Sequence, residues 1–226
     1  MWLSKSGASV SLKSLEAYVL VFVFRLLSIY RHEGYLPYDR SGDWFYHLVE
    51  VTSLMFAGIS IYLLKYRFKA TYDEDKDSFG NLHIPNHLGV CYIVVPCFLL
   101  AIVLHPNLNK DFLSDFSWTF GMYLESVSIA PQLWMFSKQR ESPIEVLVAH
   151  CVTALGTARV VEMAFWMFSF QELTTHSGSK MVGWFVLIVQ FVHVALMGDF
   201  FYYYIQSLES TMRGIPMQLP LAGGMV

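Results

Sequence analysis

The sequence predicts an all-α membrane protein in which about six transmembrane helices pack into one bundle. Hydrophobic residues make up 55% of the 226 residues, charged residues make up 15%, and the mean hydropathy is +0.44. Soluble domains rarely combine so many apolar residues with so few charges. Most of the six apolar runs approach the roughly 20 residues that a spanning helix needs. The runs lie at about 15–31, 43–64, 87–104, 115–136, 145–168 and 181–206.

Each run has a place in this bundle. The first follows a polar N-terminus, residues 1–10, that is too short for a cleavable signal peptide, so this run itself directs insertion. The second ends at the longest connection, residues 65–86. The third and fourth contain Pro96 and Pro131, each of which removes a backbone hydrogen bond and predicts a kink. The fifth and sixth complete the bundle, and residues 1–226 form a single transmembrane domain joined by short loops.

The positive charges of the loops predict the orientation in the membrane. Lys and Arg residues outside the spans divide unequally between the two sides. One side carries Lys5, Lys13, Lys65, Arg67, Lys69, Lys76, Lys138, Arg140 and Arg213, and the other carries Arg31, Arg40, Lys110 and Lys180. Because cytosolic loops carry the excess of positive charge, both termini are expected to be cytosolic.

Four ionisable side chains lie well inside the predicted helices: Arg25, Glu125, Arg159 and Glu162. Charges within the bilayer usually face a partner or a wet cavity and mark a functional site. Glu125 and Arg159 both lie near the middle of their spans, and they are predicted to pair. The alternative is that this pair only fixes the register of the helices.

Arg25 has no acidic residue within one turn of its own helix. It is therefore predicted to be available to an anionic group. A guanidinium binds a carboxylate through two parallel charge-assisted hydrogen bonds, which could anchor a ligand. The alternative is that Arg25 extends towards the membrane surface, where Arg31 lies.

Two tryptophans accompany these charges. Trp118 lies one turn from Asp115 and two turns from Glu125, so all three side chains can share a helix face. An aromatic face beside carboxylates suits a lysine or arginine of a ligand. Trp166 follows Arg159 by two turns. Both tryptophans fit equally well as ordinary residues of the aromatic belt at the membrane surface.

Catalysis, cofactors and metal ions are not predicted. The sequence contains no nucleophile elbow and no glycine-rich phosphate loop. Asp73, Asp75 and Asp77 alternate as in a calcium loop, but the glycine and the bidentate glutamate of an EF-hand are missing, so a solvated, capping stretch is predicted instead. The net charge of −3 indicates no nucleic-acid partner.

The run Ser-Trp-Thr-Phe-Gly-Met-Tyr-Leu-Glu-Ser-Val-Ser-Ile-Ala-Pro-Gln-Leu at 117–133 resembles the signature of the ER lumen protein-retaining receptors, the KDEL receptor family. Further segments agree in order and spacing: Ser-Leu-Lys-Ser at 11–14 followed by Arg25, Phe-Lys-Ala-Thr-Tyr-Asp at 68–73, Leu-Gly-Thr-Ala-Arg at 155–159 and Asp-Phe-Phe-Tyr-Tyr-Tyr at 199–204. The resemblance covers nearly the whole chain. It implies a fold similar to that of the SWEET and PQ-loop transporters.

The resemblance also implies a receptor and not an enzyme. Such receptors bind the C-terminal Lys-Asp-Glu-Leu or His-Asp-Glu-Leu signal of escaped lumenal proteins in the Golgi and return them to the ER in COPI vesicles. Arg25 matches the arginine that binds the terminal carboxylate of the ligand. Asp115 and Trp118 match an acid and a tryptophan around the first residue of the signal, and Trp166 matches a tryptophan of the same cavity.

Three further residues match functional positions of the family. Glu125 and Arg159 match a polar pair that rearranges when the signal is captured, and Asp199 matches an aspartate needed for recycling. Ala158 and Glu162 stand where the family has two tyrosines around the arginine. With these departures the chain resembles a divergent, ERD2-like branch of the family.

Matched in this way, the chain begins where the second helix of the family is about to start. The expectation is a bundle with one helix fewer than the seven of the family, either because the sequence is truncated or because this is a shortened relative. The tail at 206–214 has none of the lysines that the family presents to the COPI coat.

Three other hypotheses remain open. The chain could be a PQ-loop-type transporter of a small solute, which uses the Pro131 kink and the pair of Glu125 and Arg159. It could be a divergent receptor that no longer binds the standard signal. It could also be a structural membrane protein in which the pair only holds the helices together.

Overall fold

The structure is a computed structural model that describes residues 6–31, 43–81, 84–108, 110–138, 144–177 and 179–212. Within these residues all regular structure is helical. The α-helices are α1 (Leu12–Arg31), α2 (Asp43–Tyr62), α3 (Cys91–Val103), α4 (Phe112–Val127), α5 (Ala130–Lys138), α6 (Val146–Phe168), α7 (Phe170–Ser177) and α8 (Lys180–Met212). A π-helical turn, Leu63–Arg67, continues α2, and a 3₁₀ turn, Asn86–Leu88, precedes α3. The all-α prediction is confirmed.

Four of the predicted spans recur as single helical segments that are long and apolar enough to cross a bilayer. These segments are residues 44–67, 86–103, 146–168 and 180–208. Their apolar side chains lie largely on the outside of the bundle, as expected of surfaces that face lipid. The chain is therefore an all-helical membrane protein. Of the remaining two predicted spans, the first is the 20-residue helix α1 and the fourth is divided into α4 and α5.

The orientation of this bundle stays a prediction. Lys5, Arg40, Arg140 and Arg213, which contribute to the count of positive charges, lie outside the described residues.

The predicted kink near Pro131 is present as a complete break between α4 and α5. Ser128 and Ile129 form a turn between the two helices. Pro131 lies in the first turn of α5, where its missing N–H is tolerated. The Ser128 hydroxyl donates a hydrogen bond to the Leu124 carbonyl at 2.6 Å, which satisfies one carbonyl at the end of α4. The break therefore begins three residues after Glu125.

The N-terminus of α1 is capped by Asp77 from the connection between α2 and α3. The Asp77 carboxylate accepts hydrogen bonds from the Ser11 hydroxyl at 2.8 Å, from the Leu12 backbone N–H at 2.8 Å and from the Tyr72 hydroxyl at 2.7 Å. Burial and this neighbouring carboxylate raise the pKa of Tyr72 above its usual range, so its hydroxyl stays protonated and donates. The predicted capping is confirmed. The prediction of a solvated stretch is wrong for Asp77, which is fully buried because the connection folds back beneath α1.

We expect Asp77→Ala to lower the free energy of unfolding by about 3 kcal/mol, because it removes a helix cap and leaves the buried Ser11 hydroxyl and the half-buried Tyr72 hydroxyl without their acceptor. Thermal unfolding of the purified protein in detergent measures this loss. Asp75→Ala is the matched control, since Asp75 is exposed in the same connection. Equal melting temperatures for the two variants would contradict the capping role.

The helices enclose two apolar cores, one towards each end of the bundle. In the packing, α1 contacts α2, α4 and α5, while α8 contacts α4, α6 and α7. The first core includes Val21, Phe120, Leu124, Trp166, Val186 and Val189, and the second includes Ile129, Phe136, Val148, Val152, Met197 and Phe200. Along α4, α6 and α8, the buried charged and amide residues described below fall between the residues of these two cores.

Candidate ligand-binding site

Five charged side chains from four helices converge between the two apolar cores. They are Arg25 of α1, Glu50 of α2, Glu125 of α4, and Arg159 and Glu162 of α6, and we call them the ion cluster. All five lie within helices of the bundle and are largely buried. Ionised groups removed from water in this way need close partners of opposite charge.

Glu125 lies at the centre of the ion cluster. Its two carboxylate oxygens contact different guanidinium groups: one is 2.6 Å from Arg159 Nη2, and the other accepts a short hydrogen bond from Arg25 Nη2. The residue is 2% exposed. The predicted contact between Glu125 and Arg159 is present, and Glu125 additionally joins α1 to α6 through Arg25.

Arg25 contacts carboxylates of three other helices. In addition to Glu125, Arg25 Nη1 lies 3.3 Å from Glu50 Oε1, and Arg25 Nη2 lies 3.7 Å from Glu162 Oε1. The expectation that Arg25 is free to bind an anionic group is therefore wrong for this structure, in which its guanidinium already contacts carboxylates. That expectation considered neighbours along one helix only, whereas packing brings acids from α2, α4 and α6. A glycine permits the approach, because a Cβ at Gly121 of α4 would lie 3.3 Å from Arg25 Cγ.

The ion cluster extends to α8 through an amide. Glu162 accepts a short hydrogen bond from Arg159 Nη1 and a second hydrogen bond, at 3.0 Å, from Gln190 Nε2. Gln190 is 4% exposed. Five helices thus meet at one set of polar contacts, which fixes their relative positions at this depth.

The formal charges of the ion cluster do not balance. Three glutamates face two arginines, so the fully ionised cluster carries one negative charge in excess. Glu50 is the least well compensated of the three. It is 4% exposed, its only ion-pair contact among the described residues is the 3.3 Å contact with Arg25, and its Oε2 has no hydrogen-bond partner in that part of the chain.

Trp118 and Trp166 contact one another beside the cluster. Their rings meet edge to face, with centroids 6.2 Å apart and planes inclined by 76°. Trp166 is 3% exposed and belongs to the first apolar core, and Trp118 packs against that core. The two tryptophan rings are therefore in contact in this structure, and a ligand can insert between them only if the rings separate.

Asp115 lies in the first turn of α4 and is also buried. Its Oδ2 accepts a hydrogen bond from the Leu108 N–H at 3.0 Å, which ties the preceding loop to the helix. Trp118 follows one turn later on the same helix. Asp199, by contrast, is exposed on α8 and lies outside the ion cluster. Its role in recycling stays a prediction.

Two members of this site, Glu50 and Gln190, were not predicted from the sequence. Glu50 lies inside the second apolar run, and the criterion that identified Arg25 and Glu125 could have found it. Gln190 carries no charge and leaves no comparable signal. Its involvement depends on the face of α8 that packs against α6.

The sequence of this chain matches a family model and several curated relatives. The model of the ER lumen protein retaining receptor matches residues 6–169. An ER lumen protein-retaining receptor of Drosophila melanogaster is 32% identical over 221 residues, which cover 97% of this chain and 89% of the relative. A receptor of the same name from Petunia hybrida is 32% identical over 222 residues, covering 96% of this chain and 87% of the relative. The ER lumen protein-retaining receptor B of Arabidopsis thaliana is 32% identical over 221 residues, with 96% and 87% covered. The chain belongs to the ER lumen protein-retaining receptor family.

Proposed function

We propose that this chain is a membrane receptor that binds the C-terminal retention signals of lumenal proteins, of the Lys-Asp-Glu-Leu or His-Asp-Glu-Leu type, and returns these proteins from the Golgi to the ER. The observation that carries the proposal is the position of Arg25, a guanidinium held inside the bundle of a chain that belongs to this receptor family. Arg25 anchors the terminal carboxylate of the signal by two parallel charge-assisted hydrogen bonds.

Capture of the signal requires Arg25 to exchange one of its carboxylate partners. The contact with Glu50, at 3.3 Å, involves one oxygen of a glutamate that no other described cation contacts, whereas Glu125 contacts both arginines. Glu50 is therefore the partner that Arg25 releases. Rearrangement of Glu125 and Arg159 follows from this exchange, because Glu125 holds Arg25 and Arg159 together.

Asp115, Trp118 and Trp166 form the rest of the proposed ligand site. The two rings lie in contact, and Asp115 lies one turn from Trp118 on α4. Separation of the rings would expose aromatic faces beside a carboxylate, which suits the basic first residue of the signal. The receptor works in ER and Golgi membranes with both termini in the cytosol.

We expect a peptide with a C-terminal amide to bind at least about tenfold more weakly than the same peptide with a C-terminal carboxylate, because the amide cannot form the charge-assisted pair with Arg25. Binding of labelled peptides ending in Lys-Asp-Glu-Leu to the purified full-length chain in detergent measures this ratio. Equal affinities for the acid and the amide would contradict the proposal.

One observation favours a second candidate function, transport of a small solute. The helix break at Ser128 and Ile129 begins three residues after Glu125, and transporters often place interrupted helices beside buried charges at mid-membrane. Flux into proteoliposomes discriminates between the two functions, since a receptor binds its ligand without carrying it across the bilayer.

A further inference from the structure

An apolar groove of about 470 Å³ lies on the outer surface of the bundle, outside the proposed peptide site. Helices α2 and α6 form its walls, and α1 and the beginning of α5 form its floor. Phe56 and Ile59 of α2 and Cys151 and Leu155 of α6 are exposed at its rim. These rim residues belong to two of the segments that are long and apolar enough to cross a bilayer. The groove is therefore open sideways to the bilayer and continuous with the surface that faces lipid.

The position and length of this groove limit what can fill it. Its lining on α6 runs from Leu147 to Leu155 and ends one turn before Arg159 of the ion cluster. At 1.5 Å per residue, this lining is about 12 Å long. A helix that spans the bilayer needs a contact surface of about 30 Å. The groove therefore fits a molecule that lies within one leaflet better than it fits a further helix.

The lining of the groove favours an uncharged molecule. Among the described residues, no charged side chain lines it. The polar groups of the floor already bind one another: Gln132 Oε1 accepts from the Ser11 N–H at 2.9 Å, and Gln132 Nε2 donates to the Ser9 carbonyl at 2.8 Å. On the α2 wall, the half-buried Ser60 adds one hydroxyl to an otherwise apolar set of side chains. A phosphate headgroup would have to be desolvated here without a cation, whereas a single hydroxyl finds a partner.

We propose that this groove is a binding site for a sterol-class lipid, whose fused rings lie against the apolar walls and whose hydroxyl donates a hydrogen bond to Ser60. A rigid ring system loses less conformational freedom on binding than a flexible acyl chain does. The volume of the groove lies in the range of small-molecule sites. This second ligand site goes beyond the proposed receptor function and does not depend on it.

Photochemical labelling of the full-length chain tests the proposal. The protein is reconstituted in phosphatidylcholine vesicles that contain a trace of a cholesterol analogue with a diazirine group on its rings. We expect labelling that unlabelled cholesterol suppresses, with the labelled peptides coming from α2 and α6. Phosphatidylcholine with a diazirine on its acyl chain is the comparison for non-specific contact with the bilayer.

Two variants test whether the label enters the groove. Cys151→Trp places an indole at the rim of the groove, and we expect it to lower the sterol labelling at least about fivefold by a steric clash. Val161→Trp is the matched control, because Val161 is also exposed on α6 but does not line the groove. It should label as the parent protein does. Melting temperatures show that both variants are folded.

The hydroxyl contact is tested by competition in the parent protein and in Ser60→Ala. Cholesterol methyl ether cannot donate a hydrogen bond, so we expect it to compete about fivefold more weakly than cholesterol in the parent protein. In Ser60→Ala the two competitors should be equally effective, because the acceptor is gone. An undiminished difference in Ser60→Ala would exclude Ser60 as the partner of the hydroxyl.

Three results would overturn the sterol site. The first is labelling that unlabelled cholesterol does not suppress, and the second is equal labelling by the phosphatidylcholine probe, which would assign the groove to ordinary acyl chains. The third is a dimer of the parent protein that Cys151→Trp dissociates while sterol labelling stays unchanged, which would assign the groove to a second copy of the chain. None of these results bears on the binding of retention peptides, so the receptor function is tested separately.

Discussion

Replacing Glu125 by glutamine is expected to destabilise the protein by about 3 kcal/mol or more, because removing the central partner of buried ion pairs breaks contacts that the remaining groups cannot replace. In this case two guanidinium groups lose their shared acid, since Glu125 contacts both Arg25 and Arg159. The new amide nitrogen faces one of them as a second donor. Thermal unfolding in detergent, with loss of helical circular dichroism as the signal, measures the effect.

Glu50→Gln is the matched comparison for this loss of stability. It removes one negative charge from the same ion cluster, but Glu50 has a single contact at 3.3 Å with Arg25. Its melting temperature should therefore stay close to that of the parent protein. If the two variants lose equal stability, net charge and not the central position of Glu125 holds the cluster together, and this part of the account is wrong.

Arg25→Gln is expected to weaken binding of a C-terminal retention peptide by about a hundredfold, which is typical for removal of one partner of a buried charge pair. The variant removes the guanidinium that the proposal assigns to the terminal carboxylate. Equilibrium binding of labelled Lys-Asp-Glu-Leu peptide to the purified variant measures the loss.

Arg25→Gln also leaves three acids with one remaining arginine, which can impair folding. A second variant is therefore needed to separate a loss of binding from a loss of folding. Arg25→Lys keeps the charge but replaces the planar two-point donor by a single ammonium. We expect it to keep the melting temperature of the parent within a few degrees and to bind with intermediate affinity. Parent-like affinity in a folded Arg25→Gln would exclude Arg25 as the anchor.

The fold could be predicted from the sequence to the extent that it depends on hydropathy and on proline. Apolar runs of sufficient length correspond to single spanning segments in α2, α3, α6 and α8, since the bilayer imposes both length and composition on a helix. Pro131 predicted the interruption of the fourth span. A proline lacks a backbone N–H whatever its neighbours in the fold are, so its effect on a helix can be predicted from the sequence alone. The Ser128 hydroxyl donates a hydrogen bond to a carbonyl at the end of α4, and this contact was not predicted.

The candidate site could be predicted less completely, because it depends on which helix faces meet. Buried charge identified Glu125 and Arg159, and their contact follows from the cost of leaving either one alone. For Arg25 the search along its own helix gave the wrong expectation, since its partners come from other helices. Asp77 shows the same limit: alternating aspartates in a connection suggested solvent exposure, whereas the fold places one of them under the N-terminus of α1 as a cap.

In the proposed function, Arg25 binds the terminal carboxylate of a peptide ligand. The most direct test is the loss of affinity on C-terminal amidation, measured in the parent protein and in Arg25→Gln with the same Lys-Asp-Glu-Leu peptide. Amidation is expected to weaken binding at least about tenfold in the parent protein and to have no effect on the weaker binding of Arg25→Gln, because the two changes remove the same contact. An equal loss on amidation in both proteins would show that the carboxylate binds elsewhere and would contradict the role proposed for Arg25.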